Sequence, residues 1–594
     1  MADPDKKNDS LEQIVEDYQD GSISRRSFIK RGVALGVAVP SLAALLAACG
    51  GGEGGGGETE AAPPATEEAP PATEEAPPAE EPAPAEGEPV VGGTLREGYD
   101  LDFSKMDPIA TTWYDPGFFA LYDRIITNAE DGTFIPQLAE SWEFSPDGLQ
   151  VTFKLRTGAK FHSGRVLDAT AIKEVYDTIQ DPASGSPLRT LADPVASIDV
   201  PDPTTLVINL KHPYYGLLGV VETGYWSIVN IEKRNELGAE EYGKQEIDGS
   251  GPFTFVEWVP GDHVTVKRWD DYPGSIVPVF QNKGTAYLDE VRWLAILEAS
   301  QRAIQIENAE IDTLRGPSFQ DVERLRGNGD LNVIELKEWS GYVMGPNFQR
   351  TQFGFDDVRV RQAISKAIDR QAIVDSLLFG LGEPLYGPVN TADKSYNPAV
   401  EPLNAFDLEG AKALMAEAGW TPGSDGILEK DGTKQQWGLW IDAETFNEQL
   451  GAAIQGQLKA LGMDVKVKAQ DRGTFFNDLF GLKHDAFMFF YLWPVPVDVV
   501  TLFVNSANAE GAGPNWSNAK LPDIDAAIEN YLNAATEEEY LALGGELQLQ
   551  IATLLPIIPI VNRNAYWVHR KNVHGWLPHQ WNLYPYYNDV WIEA

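Results

Sequence analysis

The chain has 594 residues, 43% hydrophobic and 10% aromatic with 16 Trp, which is enough to build a large core and excludes a fibrous or wholly disordered protein. Its formal net charge is −43, and the eleven Glu between 49 and 89 account for only part of it, so the body is acidic too; such a surface repels phosphate backbones and excludes nucleic acid as a partner. A single cysteine, Cys49, excludes an internal disulfide and a thiolate metal cluster.

Near the N-terminus, Ser24-Arg25-Arg26-Ser27-Phe28-Ile29-Lys30 precedes an apolar run from Gly32 to Ala48 that ends Leu46-Ala47-Ala48-Cys49. A basic stretch, a short apolar stretch and small residues before a cleavage point make a secretory signal. Arg25 and Arg26 with the following Phe-Ile-Lys resemble a twin-arginine export signal. Leu-Ala-Ala-Cys resembles a lipobox, in which Cys49 takes a diacylglycerol and becomes the first mature residue. Residues 1–48 are therefore expected to be a signal peptide, with the body lipid-anchored on the extracytoplasmic face of the cell membrane. The other reading is a transmembrane anchor, but the run is at the lower limit of a span and Pro40 interrupts it.

Residues 49–89 are low-complexity, with Ala-Pro-Pro-Ala-Thr-Glu-Glu at 62–68 and again at 69–75. Paired prolines forbid a helix, and repelling Glu side chains keep the chain extended, so this is a disordered Pro/Glu-rich stalk. Order begins at Gly92-Gly93-Thr94-Leu95, which opens a strand. Trp142 and Phe144, then Asp147-Gly148, then Val151, Phe153 and Leu155 alternate with period two around a turn and predict a hairpin. A helix follows Asp168 and a strand covers 206–210. Asp356-Asp357 caps a helix carrying Val360, Ala363, Ile364, Ala367 and Ile368, ended by Gly380 and Gly382. Further helices are expected near 407–419 and through Leu450, Ile454, Leu458 and Leu461, followed by strands at 465–467 and 486–491; the apolar 551–561 reads as buried strand. Helices alternating with buried strands imply a sheet covered on both faces.

Several segments, in order, carry a resemblance: GGTL at 92–95, DGTFIPQLAESW at 131–142, FKLRTGAKFHSG at 153–164, GSGPF at 249–253, FDDVRVRQAISKAIDR at 355–370, AKALMAEAGW at 411–420 and Ile558-Pro559-Ile560. Together they resemble the family-5 extracellular solute-binding proteins, the oligopeptide- and dipeptide-binding components of ABC importers. The resemblance implies an α/β, two-lobed periplasmic-binding-protein type II fold with an extra small α+β domain and hinged lobes around a ligand cleft. By analogy the first lobe takes 90–130, 206–310 and 562–594, the small domain 131–205, and the second lobe 311–561.

In that family a loop carries a Trp and, three residues later in peptide binders, an Asp that neutralises the peptide's α-amine. Here the loop gives Trp493 but Pro496 at the Asp position, with Asp498 two residues on. A buried ammonium without a carboxylate is costly, so either Asp498 serves or the ligand lacks a free amine. Trp113, Tyr114, Trp437, Trp440, Tyr491 and Trp493 are the candidate ligand-binding aromatics, flat faces that suit a neutral solute such as a sugar as well as a peptide. Arg472 is the candidate partner for a ligand carboxylate, with a surface ion pair as its other reading. For Asp498 the N-cap of a helix starting near Val499 is the favoured reading over ligand contact.

No catalytic, metal-binding or cofactor motif stands out. GAEEYGKQ at 238–245 lacks the Ser or Thr of a phosphate loop, and His569, His574 and His579 are spaced by five, off any one helix face. The function the resemblance implies is therefore not enzymatic: a monomeric lipoprotein that captures a solute, a peptide first and an oligosaccharide or other neutral solute second, and delivers it to an ABC permease. A sensor or adhesion lipoprotein and a hydrolase are the remaining alternatives.

Overall fold

The structure, a computed structural model, describes residues 87–593 apart from 104, 112–114, 338–339, 493–495 and 580–583. Arg25, Arg26, Cys49, Trp113, Tyr114 and Trp493 thus lie outside the described residues.

The fold is two-lobed α/β. The first lobe is built on a seven-stranded sheet whose strands lie in the order Leu331–Leu336, Ala565–Arg570, Thr313–Arg315, Thr94–Tyr99, Glu290–Ala295, His263–Arg268 and Phe253–Val259. Thr94–Tyr99 runs parallel to both of its neighbours. The second lobe is built on a six-stranded sheet in the order Gly382–Pro384, Ile558–Arg563, Ser340–Pro346, Ala486–Leu492, Gln436–Asp442 and Asp464–Gln470. A four-stranded antiparallel sheet, Ala139–Phe144, Gln150–Leu155, Thr205–Leu210 and Val195–Asp202, shares one continuous hydrophobic core with the seven-stranded sheet. Strands 313–315 and 331–336, assigned to the second lobe by analogy, are hydrogen-bonded into the first sheet beside Ala565–Arg570. Likewise Thr205–Leu210 pairs within the small sheet rather than with the first lobe. Strands 313–315 and 331–336 meet a partner that arrives only after a long excursion of the chain, whereas Thr205–Leu210 completes a local hairpin with Val195–Asp202.

Local chemistry accounts for the elements. The hairpin turns at Gly148, whose φ of 67° suits glycine, while Asp147 accepts from the Leu149 N–H; beyond it Val151, Phe153 and Leu155 alternate inward. Burying each such side chain is worth about 1.5–3 kcal/mol. Asp168 caps Ala169–Gln180 by accepting from the Thr170 and Ala171 N–H groups. The helix expected to continue through Ile368 is two helices, Val358–Lys366 and Arg370–Leu377, because Asp369 caps a fresh start by accepting from the Ala372 N–H. The apolar 551–561 is also split: its first residues end the helix Glu537–Leu554, Leu555 turns the chain at φ 48°, and the strand begins only at Ile558.

Candidate functional site

In open α/β sheets, ligands bind beyond the carboxyl ends of the strands. In the first lobe, parallel strands end at Tyr99, Ala295 and Arg315; in the second, they end at Asp442 and Leu492. The chain passes between the two sheets through Asn564 alone, from Ile558–Arg563 to Ala565–Arg570, a layout suited to hinge motion. Between these ends lies a cavity of about 470 Å³. Asp100, Arg315 and Tyr566 line it from the first lobe, and Phe446, Gln449 and Arg563 from the second side.

The three arginines at this cavity differ in what they are free to do. Arg302 gives its guanidinium to the carbonyls of Ile296, Leu297 and Gly316, which fixes the turn after the first-lobe strands. Arg315 is buried, lies 3.5 Å from Asp100 and faces the rings of Tyr99, Trp567 and Tyr584 at 5.4–5.6 Å. Arg563 lies 4.3 Å over the ring of Phe490 and has no carboxylate partner among the described residues. Stacking holds its fork in place while leaving the N–H donors for an anion. Beneath Arg315, Glu97 is wholly buried and accepts from Trp576 Nε1 at 3.2 Å and the Tyr587 hydroxyl at 3.3 Å; burial pushes it up to about 7 against the pull of those donors and of Arg315.

Most residues singled out from sequence stand elsewhere. Trp437 is 3% exposed, edge-on to Phe355 in the second-lobe core, and its Nε1 donates to Gln435. Trp440 is buried with Lys468 Nζ 3.7 Å over its ring, and Tyr491 is buried with its hydroxyl donating to the Pro388 carbonyl. The apolar strand expected at 486–491 carries Tyr491 into core, and Trp437 and Trp440 stand on Gln436–Asp442, a strand the sequence reading did not assign; none of the three lines the cavity. Arg472 opens a helix at the surface, 67% exposed, 3.7 Å from Asp442 and 3.8 Å from Glu444. Among the described residues no group of three or more His, Cys, Asp or Glu is placed to hold a metal.

Asp498 neither starts a helix near Val499 nor faces the cavity just described. It sits in the first turn of Pro496–Val504 and accepts from Tyr540 at 3.0 Å and Tyr214 at 3.3 Å. Tyr214 comes from the first-lobe side, and next to it the Tyr215 N–H donates to the Ala534 carbonyl at 3.0 Å, so this carboxyl joins the lobes. Burial pushes Asp498 up to about 6, with the hydroxyls of Tyr531, Tyr540 and Tyr214 pulling the other way. A carboxyl raised above its ordinary value of about 3.9 favours the folded molecule below that pH, and the contribution is lost as pH rises through about 6. Asp498→Asn, which keeps an acceptor for the tyrosines, should therefore stabilise the protein at pH 8 by about 1–3 kcal/mol, the gap closing towards pH 4. Melting curves across that range check it, and a gap independent of pH would contradict it.

Comparison with known proteins agrees with the geometry. The model of "Bacterial extracellular solute-binding proteins, family 5 Middle" matches residues 133–512. The oligopeptide-binding protein AppA of Bacillus subtilis is 24% identical over 451 residues, covering 74% of this chain and 80% of its own. The glutathione-binding protein GsiB of Salmonella paratyphi A is 25% identical over 491 residues, covering 81% and 89%. The structure of DppA from Helicobacter pylori in complex with the peptide STSA superposes with a TM-score of 0.70 at 23% identity, covering 85% of this chain and 99% of that one.

Proposed function

Because the chain belongs to the bacterial extracellular solute-binding proteins of family 5, we propose that it captures a short peptide between its lobes and delivers it to an ABC permease, tethered outside the cell membrane by a lipid on Cys49. The observation that carries the peptide reading is Arg563: a guanidinium at the interlobe cavity, braced by Phe490 and with no carboxylate partner among the described residues, suited to a peptide's terminal carboxylate. Relatives named for oligopeptides and glutathione support it. The oligosaccharide reading draws on Pro496 standing where peptide binders have Asp, but it is weakened by the burial of Trp437 and Trp440 away from the cavity.

A thermal-shift screen of short peptides and β-linked oligosaccharides tests the choice. A peptide at 100 times its Kd adds ~2.7 kcal/mol of stability, and Trp493→Ala is expected to abolish that gain. A response to oligosaccharides with none to peptides would overturn the reading.

A further inference from the structure

One side chain at the interlobe cavity takes a conformation that the fold does not ask for. Phe379 follows the helix Arg370–Leu377 at φ 54°, in the left-handed region that usually goes to glycine at a helix end, although Gly380 stands next to it at φ 79°. A bulky residue in that conformation is strained. Core packing does not account for it: Phe379 is 53% exposed, and it lines the cavity with Leu377, Phe446 and Arg563. A strained aromatic kept in water at a cavity is explained by contact with what enters that cavity.

Backbone pairing fixes its place relative to Arg563. In the second-lobe sheet Gly382 stands directly opposite Arg563, and the Leu381 carbonyl accepts from the Asn564 N–H at 3.3 Å. Phe379 is therefore within ~11 Å of chain from the point where the two strands meet. Phe446 reaches the same cavity from the first turn of the helix Thr445–Leu461, half-buried, tilted against Tyr342 at 5.1 Å and edge-on to Phe319 at 6.2 Å. Leu377, Phe379 and Phe446 thus give the second-lobe wall an apolar face beside one guanidinium. We propose that Phe379 and Phe446 form a side-chain subsite that selects solutes with an apolar side chain next to the carboxylate held by Arg563, which in a peptide means a C-terminal residue such as Phe or Leu. In such a residue the carboxylate and the side chain leave the same carbon, so a carboxylate on Arg563 sets the side chain beside this wall. Its burial rewards closure of the lobe that carries Phe379, whereas a C-terminal glycine leaves Phe379 in water. The subsite deepens the peptide reading and rests on Arg563 as the carboxylate partner.

The test has two arms, run on the purified full chain. In the first, calorimetric titration compares the tripeptides Ala-Ala-Phe, Ala-Ala-Leu and Ala-Ala-Gly. The first two are expected to bind at least about tenfold tighter than the third, the scale on which an apolar pocket discriminates by methylenes. In Phe379→Ala the preference should shrink to about threefold or less, affinity for Ala-Ala-Phe falling far more than that for Ala-Ala-Gly, while Phe379→Leu keeps most of it. Phe379→Gly suits the left-handed backbone and should melt no lower than the unchanged protein, so its loss of preference is not a loss of folding. The second arm needs no peptide: 3-phenylpropanoate at about 10 mM is expected to raise Tm by about 1–2 °C and propanoate not at all, the rise being lost in Phe379→Gly. Equal affinity for the three tripeptides, or a preference undiminished in both Phe379→Ala and Phe379→Gly, overturns the subsite and leaves the peptide reading standing. A rise specific to phenylpropanoate with no tripeptide bound overturns the peptide reading and supports the subsite for another apolar carboxylate. Absence of both responses overturns both.

Discussion

Arg563→Ala is expected to weaken peptide binding by about thirtyfold or more while leaving the protein folded. A guanidinium–carboxylate pair in a crevice that closes over its ligand loses about 2–5 kcal/mol when one partner is truncated, and each 1.4 kcal/mol is tenfold in Kd. The fold should survive because Arg563 forms no ion pair among the described residues; truncation costs its stacking on Phe490, on the order of 1 kcal/mol. Arg563→Lys keeps the charge without the planar fork and should fall between. Arg472→Ala is the matched control, an exposed arginine near two carboxylates of its own that should bind as wild type does. Calorimetric titration with a peptide found in the screen measures all three, and unchanged affinity in Arg563→Ala would remove this residue from the site.

Gly251→Ala should lower stability by at least about 3 kcal/mol and is expected to leave little folded protein at 37 °C. The reason is close approach of two backbones. The Ser250 and Gly251 N–H groups both donate to the Leu121 carbonyl at 2.9 Å, and the Asp123 N–H donates to the Ser250 hydroxyl at 3.0 Å. A Cβ on Gly251 would stand 2.8 Å from the Leu121 carbonyl carbon and overlap the Ala120 carbonyl oxygen, and neither backbone atom can swing aside as a side chain would. Gly456→Ala supplies the contrast: that glycine lies in the helix Thr445–Leu461 with open space where its Cβ would go, so the change should be neutral or stabilising by up to about 1 kcal/mol. Denaturant midpoints compare them, and equal midpoints for the two variants would refute the packing argument.

These residues show how far the sequence could be read. The GSGPF and FDDVRVRQAISKAIDR segments that carried the family resemblance are structural: the first packs backbone on backbone, and in the second Arg361 and Arg370 are buried with their guanidinium groups on the carbonyls of Leu554 and Pro559. Such demands are local and leave strong patterns, so the two-lobed fold was legible, as were the helices after Asp168 and Asp407 and the cap at Asp357. The cleft was less so. Trp437, Trp440 and Tyr491 drew attention as aromatics with flat faces suited to a solute, yet an aromatic looks the same in sequence whether it faces core or ligand. Arg563 left one usable signal, a charged residue closing the apolar strand Ile558–Arg563 one residue before the next strand begins. The boundary at 311 slipped because Ala565–Arg570, the partner of strands 313–315 and 331–336, is distant in the chain, whereas the one at 205 cut through a local hairpin between Val195–Asp202 and Thr205–Leu210.

The central claim is that a solute is enclosed between lobes that shut around it. Small-angle scattering of the purified chain during titration with a peptide from the screen addresses this most directly. The radius of gyration should fall in proportion to occupancy and level off at saturation, with the calorimetric and scattering midpoints coinciding. Full occupancy by calorimetry with a scattering curve that does not change would contradict it.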